Sequence, residues 1–420
     1  MPTWLPRRIG DNRNLVIICG LIAASQMSWG VVVPVLPLYA RGFGASGADL
    51  GLIVSLFGVG RLIINIPAGR LAERYDQRHL LLGAVSAVVA CSVVTGFAGS
   101  LTQLFVLRFA TGLAGGAAIT VGQAFIAHST TVANRGRAMG TLQAFQLAGG
   151  AIGPSFGGVM ASLFGLRASF VSSGLVALAF VVWGALRLQP VGGSVPDVSD
   201  EGGAETAKRG WLLHDPSFVA ICVVGFAVFF ARFGGQQFLV PILAYDEVGL
   251  TAGQLGLALG AVTTANIVLV SFAGRAADRI GRKRVIVPAM VLAGLATLGY
   301  IWADDVVTLL VVLCFVGLCN TFSGPTPAAY LADVAPPGRQ GAAVGVFRTF
   351  GDLAGLIGPV LLGWLVEHSG TDAAIVVLAA VSVTAGTWFA FRARETVVLP
   401  TAGARPSQTS PGSEGVVAGA

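Results

Sequence analysis

Five charged residues lie deep inside long apolar runs, where an ionised side chain is costly and usually functional. Four are the arginines Arg61, Arg108, Arg232 and Arg348, and one is the carboxylate Asp352. Asp352 follows Arg348 by four positions, so both project from one face of a helix. Such a carboxylate can change its proton affinity with its surroundings and carry a proton. The alternatives are a neutralised structural pair and a residue that recognises a ligand.

The composition excludes an ordinary soluble protein. Charged residues make up 11% of the 420 and hydrophobic residues 55%, with a mean hydropathy of +0.79, whereas soluble domains carry roughly 25% charged residues. Most of the chain must therefore lie in a lipid bilayer. The net charge of +6 then reflects basic residues in the loops that fix the orientation of the chain in the membrane. We expect no nucleic-acid partner.

The side chains that enzymes and metal sites require are missing from the sequence pattern. The five cysteines fall inside apolar runs without metal-ligand spacing, and the four histidines lie at the edges of these runs. The sequence contains neither a phosphate-binding loop nor the motif of a catalytic nucleophile. We therefore predict no enzyme activity, no cofactor and no metal.

Twelve apolar stretches are long enough to cross a membrane as helices of about 20 residues. The first is too long for the core of a signal peptide, so we interpret it as a span. The predicted spans cover about 14–40, 49–69, 79–99, 101–127, 138–163, 167–189, 216–243, 252–273, 283–303, 306–331, 340–366 and 372–393.

Lysine and arginine are distributed unevenly between the two sets of loops. Twenty of the 26 lie in segments on the side of the termini, and two, Arg41 and Arg167, lie on the other side. Because basic residues favour the cytoplasmic side, both termini should be cytoplasmic. A polar stretch, 190–213, is predicted as a cytoplasmic linker between a six-span half at 1–189 and another at 214–394, and 395–420 as a disordered cytoplasmic tail.

The two halves are repeats of each other. Gly69-Arg70-x-Ala72-x-Arg74 recurs as Gly274-Arg275-x-Ala277-x-Arg279, and Ile152-Gly153-Pro154 recurs as Ile357-Gly358-Pro359, both at an offset of 205. Parallel six-span repeats predict two bundles related by an axis along the membrane normal, with a central path between them.

These motifs resemble those of the major facilitator superfamily. The loop after the second span contains Gly69, Arg70, Glu73 and Arg74, which is similar to the cytoplasmic signature of the superfamily, although Glu73 replaces an aspartate and Asp76 a glycine. The second copy, with Gly274, Asp278 and Arg279, follows the pattern more closely. The resemblance implies an all-α membrane protein with twelve helices in two six-helix bundles related by a pseudo-two-fold axis.

Two further motifs resemble the 12-spanner drug:proton antiporter family within that superfamily. In the fourth span Arg108 precedes Thr111-Gly112-x-x-Gly115-Gly116, and the fifth span carries the pattern associated with antiporters, at Gly149, Gly153, Pro154, Gly157 and Gly158. Glycines at a spacing of four allow close helix approach, and Gly-Pro bends a helix. The resemblance implies that this segment seals the path against leak. Tight helix packing alone is the alternative.

The resemblance also implies roles for individual residues. Arg61 and Arg108 would join Asp352 and Arg348 in proton coupling. Glu73 and Asp278 would latch the cytoplasmic gate, while the simpler interpretation is that the arginines around them only anchor topology. Polar residues of the path-lining spans would bind the substrate, namely Gln26, Gln143, Gln146 and Gln236, although each could instead bond a neighbouring helix. Arg232 is a further candidate for substrate contact by its position alone, without a motif.

The predicted function is export of small organic molecules across the inner (plasma) membrane by proton antiport, through alternating access of a monomer. The alternatives are a symporter or uniporter of the same fold for a sugar, an amino acid or an organic acid, and a membrane sensor that no longer transports. Four buried cations against one anion predict a positive cavity. Anionic, zwitterionic or neutral cargo is therefore favoured over lipophilic cations.

Overall fold

The structure is a computed structural model that describes residues 9–130, 132–189, 215–324, 326–335 and 340–396. Twelve of its helices are long and apolar enough to cross a membrane. The predicted number of spans is confirmed. The predicted linker at 190–213 lies outside the described residues, as does the predicted tail beyond residue 396.

The first half of the chain forms six helices that run alternately in opposite directions. They are α1 (Ile9–Arg41), α2 (Gly47–Arg74), α3 (Gln77–Thr95), α4 (Leu101–Ser129), α5 (Val132–Phe164) and α6 (Leu166–Arg187). We call the end at which α1 begins the terminal end of the bundle, and the other the opposite end.

The second half repeats this arrangement with three irregular helices. Its helices are α7 (Pro216–Asp246), α8 (Ala252–Ile280), α9 (Arg282–Thr297), α10 (Val306–Ser323 and Thr326–Val334), α11 (Gln340–Ser369) and α12 (Thr371–Arg392). The middle of α7, Ala231–Leu239, is a π-helix, and α9 ends in a 3₁₀ turn, Leu298–Trp302.

The same cap starts α2 and α8. The Ser46 hydroxyl accepts from the backbone N–H of Asp49 at 3.2 Å, and the Asp49 carboxylate accepts from the N–H of Ser46 at 2.9 Å. Thr251 and Gln254 make the equivalent bonds at 3.3 and 2.9 Å. These capping boxes satisfy backbone donors that a helix start leaves free. Ser46 and Thr251 are 205 residues apart, so the predicted repeat extends to the way the helices begin.

Helices α2 and α11 form one seam between the halves. A Cβ atom on Gly51 would collide with the carbonyl oxygen of Pro359, and one on Gly363 would stand 2.6 Å from the carbonyl oxygen of Gly47. The Ser55 hydroxyl donates to the carbonyl of Leu356 at 2.8 Å. The backbones therefore touch directly along this seam.

Helices α5 and α8 form the second seam in the same way. A Cβ atom on Gly256 would collide with the carbonyl oxygen of Pro154, and one on Gly158 with that of Ala252. The Ser155 hydroxyl donates to the carbonyl of Gly256 at 3.2 Å.

The two seams are copies of each other. The close backbone contacts of one seam recur 205 positions away in the other, as in the pairs Gly47 and Ala252, Gly51 and Gly256, Pro154 and Pro359, and Gly158 and Gly363. This correspondence is what a two-fold axis between the halves requires. The two serine hydrogen bonds do not recur in this way.

A charged pair closes the opposite end on the axis itself. The guanidinium of Arg41, at the end of α1, binds the carboxylate of Asp246, at the end of α7, through two bonds of 2.5 and 2.6 Å. The Tyr245 hydroxyl donates to the carbonyl of Pro34, and the N–H of Ala48 donates to Glu367 at 3.1 Å. These bonds, and those of Ser55 and Ser155 in the seams, lie between the middle of the spans and this end. The bundle is therefore closed at the opposite end.

Candidate functional site

An aromatic layer joins the halves in the middle of the bundle. The centroid of the Trp29 ring, on α1, lies 6.1 Å from the ring centroid of Phe57 on α2 and 6.4 Å from that of Phe233 on α7. Phe233 in turn stacks on Phe229 at 6.1 Å. Trp29 thus contacts rings from both halves and is only partly buried.

Two arginines lie against this layer. The guanidinium carbon of Arg232 is 5.7 Å from the ring centroid of Trp29, and that of Arg108 is 5.1 Å from the ring of Phe57. Both distances are within the range of cation–π attraction. Arg232 comes from the second half and meets Trp29 from the first, so its exposed surface faces the space between the halves.

Arg108 lies deepest of the charged residues. It is 4% exposed, and its Nε has no hydrogen-bond partner within the described residues. No carboxylate of the described chain lies within 4.0 Å of its guanidinium. The sequence placed Arg108 in the interior, and the structure adds that Phe57 separates it from Trp29.

Asp352 lies in the field of two arginines from facing helices. Its charge interacts with those of Arg61 on α2 and Arg348 one turn away on α11. Arg61 also feels the charges of Arg348 and Arg232. No arginine nitrogen of the described residues approaches the Asp352 oxygens within 4.0 Å. The arrangement is therefore a loose group of charges rather than a closed ion pair.

We refer to these side chains together as the central cluster. It is defined by Trp29, Phe57, Arg61, Arg108, Arg232, Phe233, Arg348 and Asp352. Within the described spans, Asp352 is the sole carboxylate more than two turns from a span end. Four arginines and one aspartate leave the cluster with three positive charges.

The glutamines predicted to bind substrate do not form one group. Gln26 shares a face of α1 with Trp29 and is partly buried, Gln143 is exposed, and Gln146 is partly buried with its Nε2 unpartnered among the described atoms. Gln236 lines a separate cavity inside the second half, with Thr297, Asn320 and Ser382. The side chain of Gln236 thus belongs to the interior of that bundle rather than to the central cluster.

The glycine–proline segment of α5 packs on two neighbours at once. A Cβ atom on Gly153 would stand 2.7 Å from the Cα of Gly30, on α1. A Cβ atom on Gly157 would stand 2.8 Å from the Cα of Val31, also on α1, and Gly149 meets the backbone of α1 one turn earlier. Gly158 and Pro154 face α8 instead, in the seam described above. The segment therefore connects packing within the first half to the contact between the halves.

The signature loops lie at the terminal end of the bundle. Glu73 is exposed, as are Arg70 and Arg74, while Gly69 is partly buried. In the second copy, Gly274 is partly buried and Arg279 exposed, and Asp278 lies 3.9 Å from Arg282 on its own half. The latch predicted for Glu73 and Asp278 stays a prediction.

The second copy of the signature loop contains an ion-pair network that was not predicted from the sequence. Arg282 binds Asp333 of α10 at 2.5 Å, and the Glu395 carboxylate accepts from the N–H groups of Arg282 and Arg284 at 2.9 and 3.3 Å. Glu395, assigned to the tail by the sequence, thus caps the start of α9. The Arg41–Asp246 pair was also missed, although its members are 205 residues apart. The repeat offset was the signal that could have found this pair.

Comparisons with known proteins agree with this architecture. A family model described as Major Facilitator Superfamily matches residues 18–242 and 225–415. Multidrug resistance protein 2 of Bacillus subtilis is 23% identical over 86% of this chain and 91% of its own length, and the probable sulfoacetate transporter SauU of Cupriavidus necator is 27% identical over 80% and 82%.

A solved structure is similar in fold at low identity. The bacterial homologue of the human lysosomal transporter Spinster, in its inward-facing and occupied conformation, matches with a TM-score of 0.78 and 14% identity, covering 92% of this chain and 97% of that one. Twelve spans, two repeated bundles and the family match lead to one conclusion. The chain belongs to the Major Facilitator Superfamily and is a multi-pass membrane transporter rather than an enzyme.

Proposed function

We propose that the protein exports small organic molecules by proton antiport. The observation that carries this proposal is Asp352, the central carboxylate, whose charge interacts with those of Arg61 from the first half and Arg348 from the second. A proton on Asp352 removes the negative charge that attracts both arginines, so protonation changes the force between α2 and α11. These two helices form one of the seams that must rearrange during alternating access.

The direction of transport rests on the glycine–proline segment and on the relatives. Several relatives are named multidrug resistance proteins, which supports export. With the termini in the cytoplasm, as the distribution of arginine favours, the closed end faces outward and the structure represents an inward-open form. The exporter would then collect cargo and release its proton on the cytoplasmic side of the plasma membrane.

The experiment is transport into inverted membrane vesicles under an imposed proton gradient. A growth-protection screen with neutral, anionic and cationic toxic compounds supplies the cargo. We expect an acidic vesicle interior to drive cargo uptake by the wild type. Asp352→Asn should lose this response and keep downhill cargo exchange, because the amide cannot ionise. Asp304→Asn, an exposed carboxylate in a loop, is the matched control and should behave as the wild type.

Three other results would replace the proposal. Cargo that moves in the same direction as protons would make the protein a symporter. A wild type that moves a confirmed cargo without any response to the gradient would be a uniporter or use another ion. An Asp352→Asn variant that keeps the full gradient response would move proton coupling to another residue.

A further inference from the structure

We propose that the central cluster binds an organic anion. Its negative group, a carboxylate, sulfonate or phosphate, would lie between Arg232 and Arg61, and its apolar body would lie against Trp29 and Phe233. This inference rests on the proposed function in one respect, namely that the space between the halves is the cargo path.

The balance of charge in the cluster is the first argument. Three positive charges remain after Asp352 is counted, in a region where lipid and apolar side chains surround the spans. An uncompensated charge at this depth is strongly unfavourable. The described residues offer no second carboxylate there, so a negatively charged cargo is the partner that would neutralise the excess.

The free donors of Arg232 are the second argument. Its side chain has surface towards the space between the halves, and within the described residues it makes no hydrogen bond or ion pair, while its guanidinium carbon lies 5.7 Å from the centroid of the Trp29 ring. A guanidinium has five N–H donors in a planar fork that matches a carboxylate or sulfonate. Arg232 can therefore bind such a group without giving up another partner.

The position of Arg61 completes the anion site. Arg61 lies one turn from Phe57 on α2, and Phe57 contacts Trp29, against which Arg232 lies. The charges of Arg61 and Arg232 act on each other, which places two cations from opposite halves near one space. An anion held between them would replace this repulsion with two attractive contacts.

The irregular part of α7 explains how Arg232 reaches this position. Arg232 is the second residue of the π-helix Ala231–Leu239. Such wide turns are rare and often occur at functional sites. Here the π-helix also places Phe233 against Trp29, so the cation and the apolar surface that would hold the anion come from adjacent residues.

The same geometry argues against a cationic cargo. The one carboxylate that could attract a cation is Asp352, and it is flanked by Arg61 and Arg348. An approaching cation would be repelled by these two charges as well as attracted by the carboxylate. Arg108 strengthens the preference for anions through its field alone, since it is buried behind Phe57.

Binding of three matched compounds to the purified full-length protein tests the proposal without any gradient. The compounds are naphthalene-2-sulfonate, the neutral 2-naphthylmethanol and the cation 2-naphthylmethylammonium, measured by calorimetry. We expect the sulfonate to bind at least about tenfold more tightly than the cation, because a bidentate charged hydrogen bond distinguishes them. Arg232→Gln should weaken sulfonate binding at least about tenfold, and Arg232→Lys should restore part of it.

The control arginine and the stability of the free protein separate binding from folding. Arg392 lies 5.0 Å from the ring of Trp388, the same kind of contact in a peripheral helix, so Arg392→Gln should leave sulfonate binding unchanged. Without ligand, Arg232→Gln should unfold at the same temperature as the wild type or higher, because it removes a positive charge from a positive cluster. A purely structural arginine would instead destabilise the protein when replaced.

Two results would overturn the anion proposal. One is equal affinity for the sulfonate and the cation, and the other is unchanged sulfonate binding in Arg232→Gln. These binding measurements need no proton gradient. The anion site can therefore be supported even if the vesicle experiment shows no antiport, and antiport can be observed even if the anion site is absent.

Discussion

Arg41 and Asp246 face each other at the opposite end of the bundle, with 33% and 42% of their side chains exposed. An exposed ion pair contributes about 1 kcal/mol or less, and the two-bonded geometry belongs to the upper part of that range. The pair joins α1 to α7 across the axis, so it contributes only while this end is closed.

The first prediction concerns this pair. Arg41→Ala and Asp246→Ala should each shift the protein towards opening at the opposite end, by about two- to fivefold in the ratio of the two states. Spin labels attached through Gly99→Cys and Asp304→Cys, in a background without the native cysteines, report the distance between the halves there. Both positions are exposed and are 205 residues apart.

The charge-reversed double variant, Arg41→Asp with Asp246→Arg, is the control for the pair. It should restore most of the short-distance population, because attraction is restored with the charges exchanged. Identical distance distributions in both single variants and the wild type would show that the Arg41–Asp246 pair does not stabilise the closed end. The seams alone would then keep this end closed.

Sequence reasoning at the residue level found the buried charges but not their surroundings. Arg61, Arg108, Arg232 and Asp352 were visible because each interrupts an apolar run. The rings of Trp29, Phe57 and Phe233 look like any other apolar positions in such runs, and their contacts join α1, α2 and α7. The direction of Gln236 depends on the π-helix, which a periodicity of 3.6 residues does not anticipate.

Among the helices of the first half, α1 and α5 pack closely against each other. Two glycines of α5 that are three positions apart allow a matched test of this contact. A Cβ atom on Gly153 would stand 2.6 Å from the Met27 carbonyl oxygen, whereas one on Gly150 would have no neighbour within 4 Å. The two positions differ in packing but share one helix and nearly one depth.

The second prediction is that alanine has opposite effects at these glycines. Gly153→Ala should destabilise the protein by about 1–3 kcal/mol, because the backbones of α1 and α5 must separate. Gly150→Ala should stabilise it by up to about 1 kcal/mol, since alanine favours the helix. Thermal unfolding in detergent gives both values. Equal changes at the two sites would mean that the helices adjust at no cost.

The third prediction concerns the seams between the halves. Gly256→Val should force α8 away from Pro154 and open the opposite end, and Gly51→Val should do the same at α11. Gly83→Val is the control, because a Cβ atom there meets nothing within 4 Å. The label pair at positions 99 and 304 should report longer distances for the two seam variants only, together with loss of transport. A closed end in both seam variants would contradict the assigned role of the seams.

The number and order of helices could be predicted because span length depends on bilayer thickness. The ends of the helices were harder to predict from the sequence. Helix α8 continues to Ile280 and α5 begins at Val132, both beyond the predicted apolar stretches. The π-helix in α7 and the division of α10 could not be read from hydropathy. Both depend on backbone hydrogen bonding, which leaves the average apolar character unchanged.

For the whole molecule, the distribution of arginine predicts which side each end faces. The fourth prediction is that an impermeant maleimide added to intact cells labels Gly99→Cys and Asp304→Cys, since both loops lie at the opposite end. A cysteine introduced at Glu73, at the terminal end, should react only after the membrane is opened. The reverse pattern of labelling would place the termini outside and make the structure outward-open.

The sequence repeat predicted two bundles around an axis, and the seams follow from it at the same offset of 205. Which end is closed could not be predicted in this way. Both states of an alternating-access carrier are built by one sequence, and they differ only in the small free energies of contacts such as Arg41–Asp246.

The duplicated seams have a consequence for the ancestry of the molecule. Gly51 and Pro154 lie in the same half, so each half carries both members of the contact and is complementary to its own copy, as in an isologous dimer. Two such copies need only a linker, and no new surface, to form one chain. Within one chain the centre is free to be asymmetric. Arg61 now corresponds to Asn266, Trp29 to Gly234 and Asp352 to Leu147, while the seams retained their shared pattern. A dimer of identical halves would have to duplicate every charge at its axis, whereas the fused chain can place a single carboxylate there.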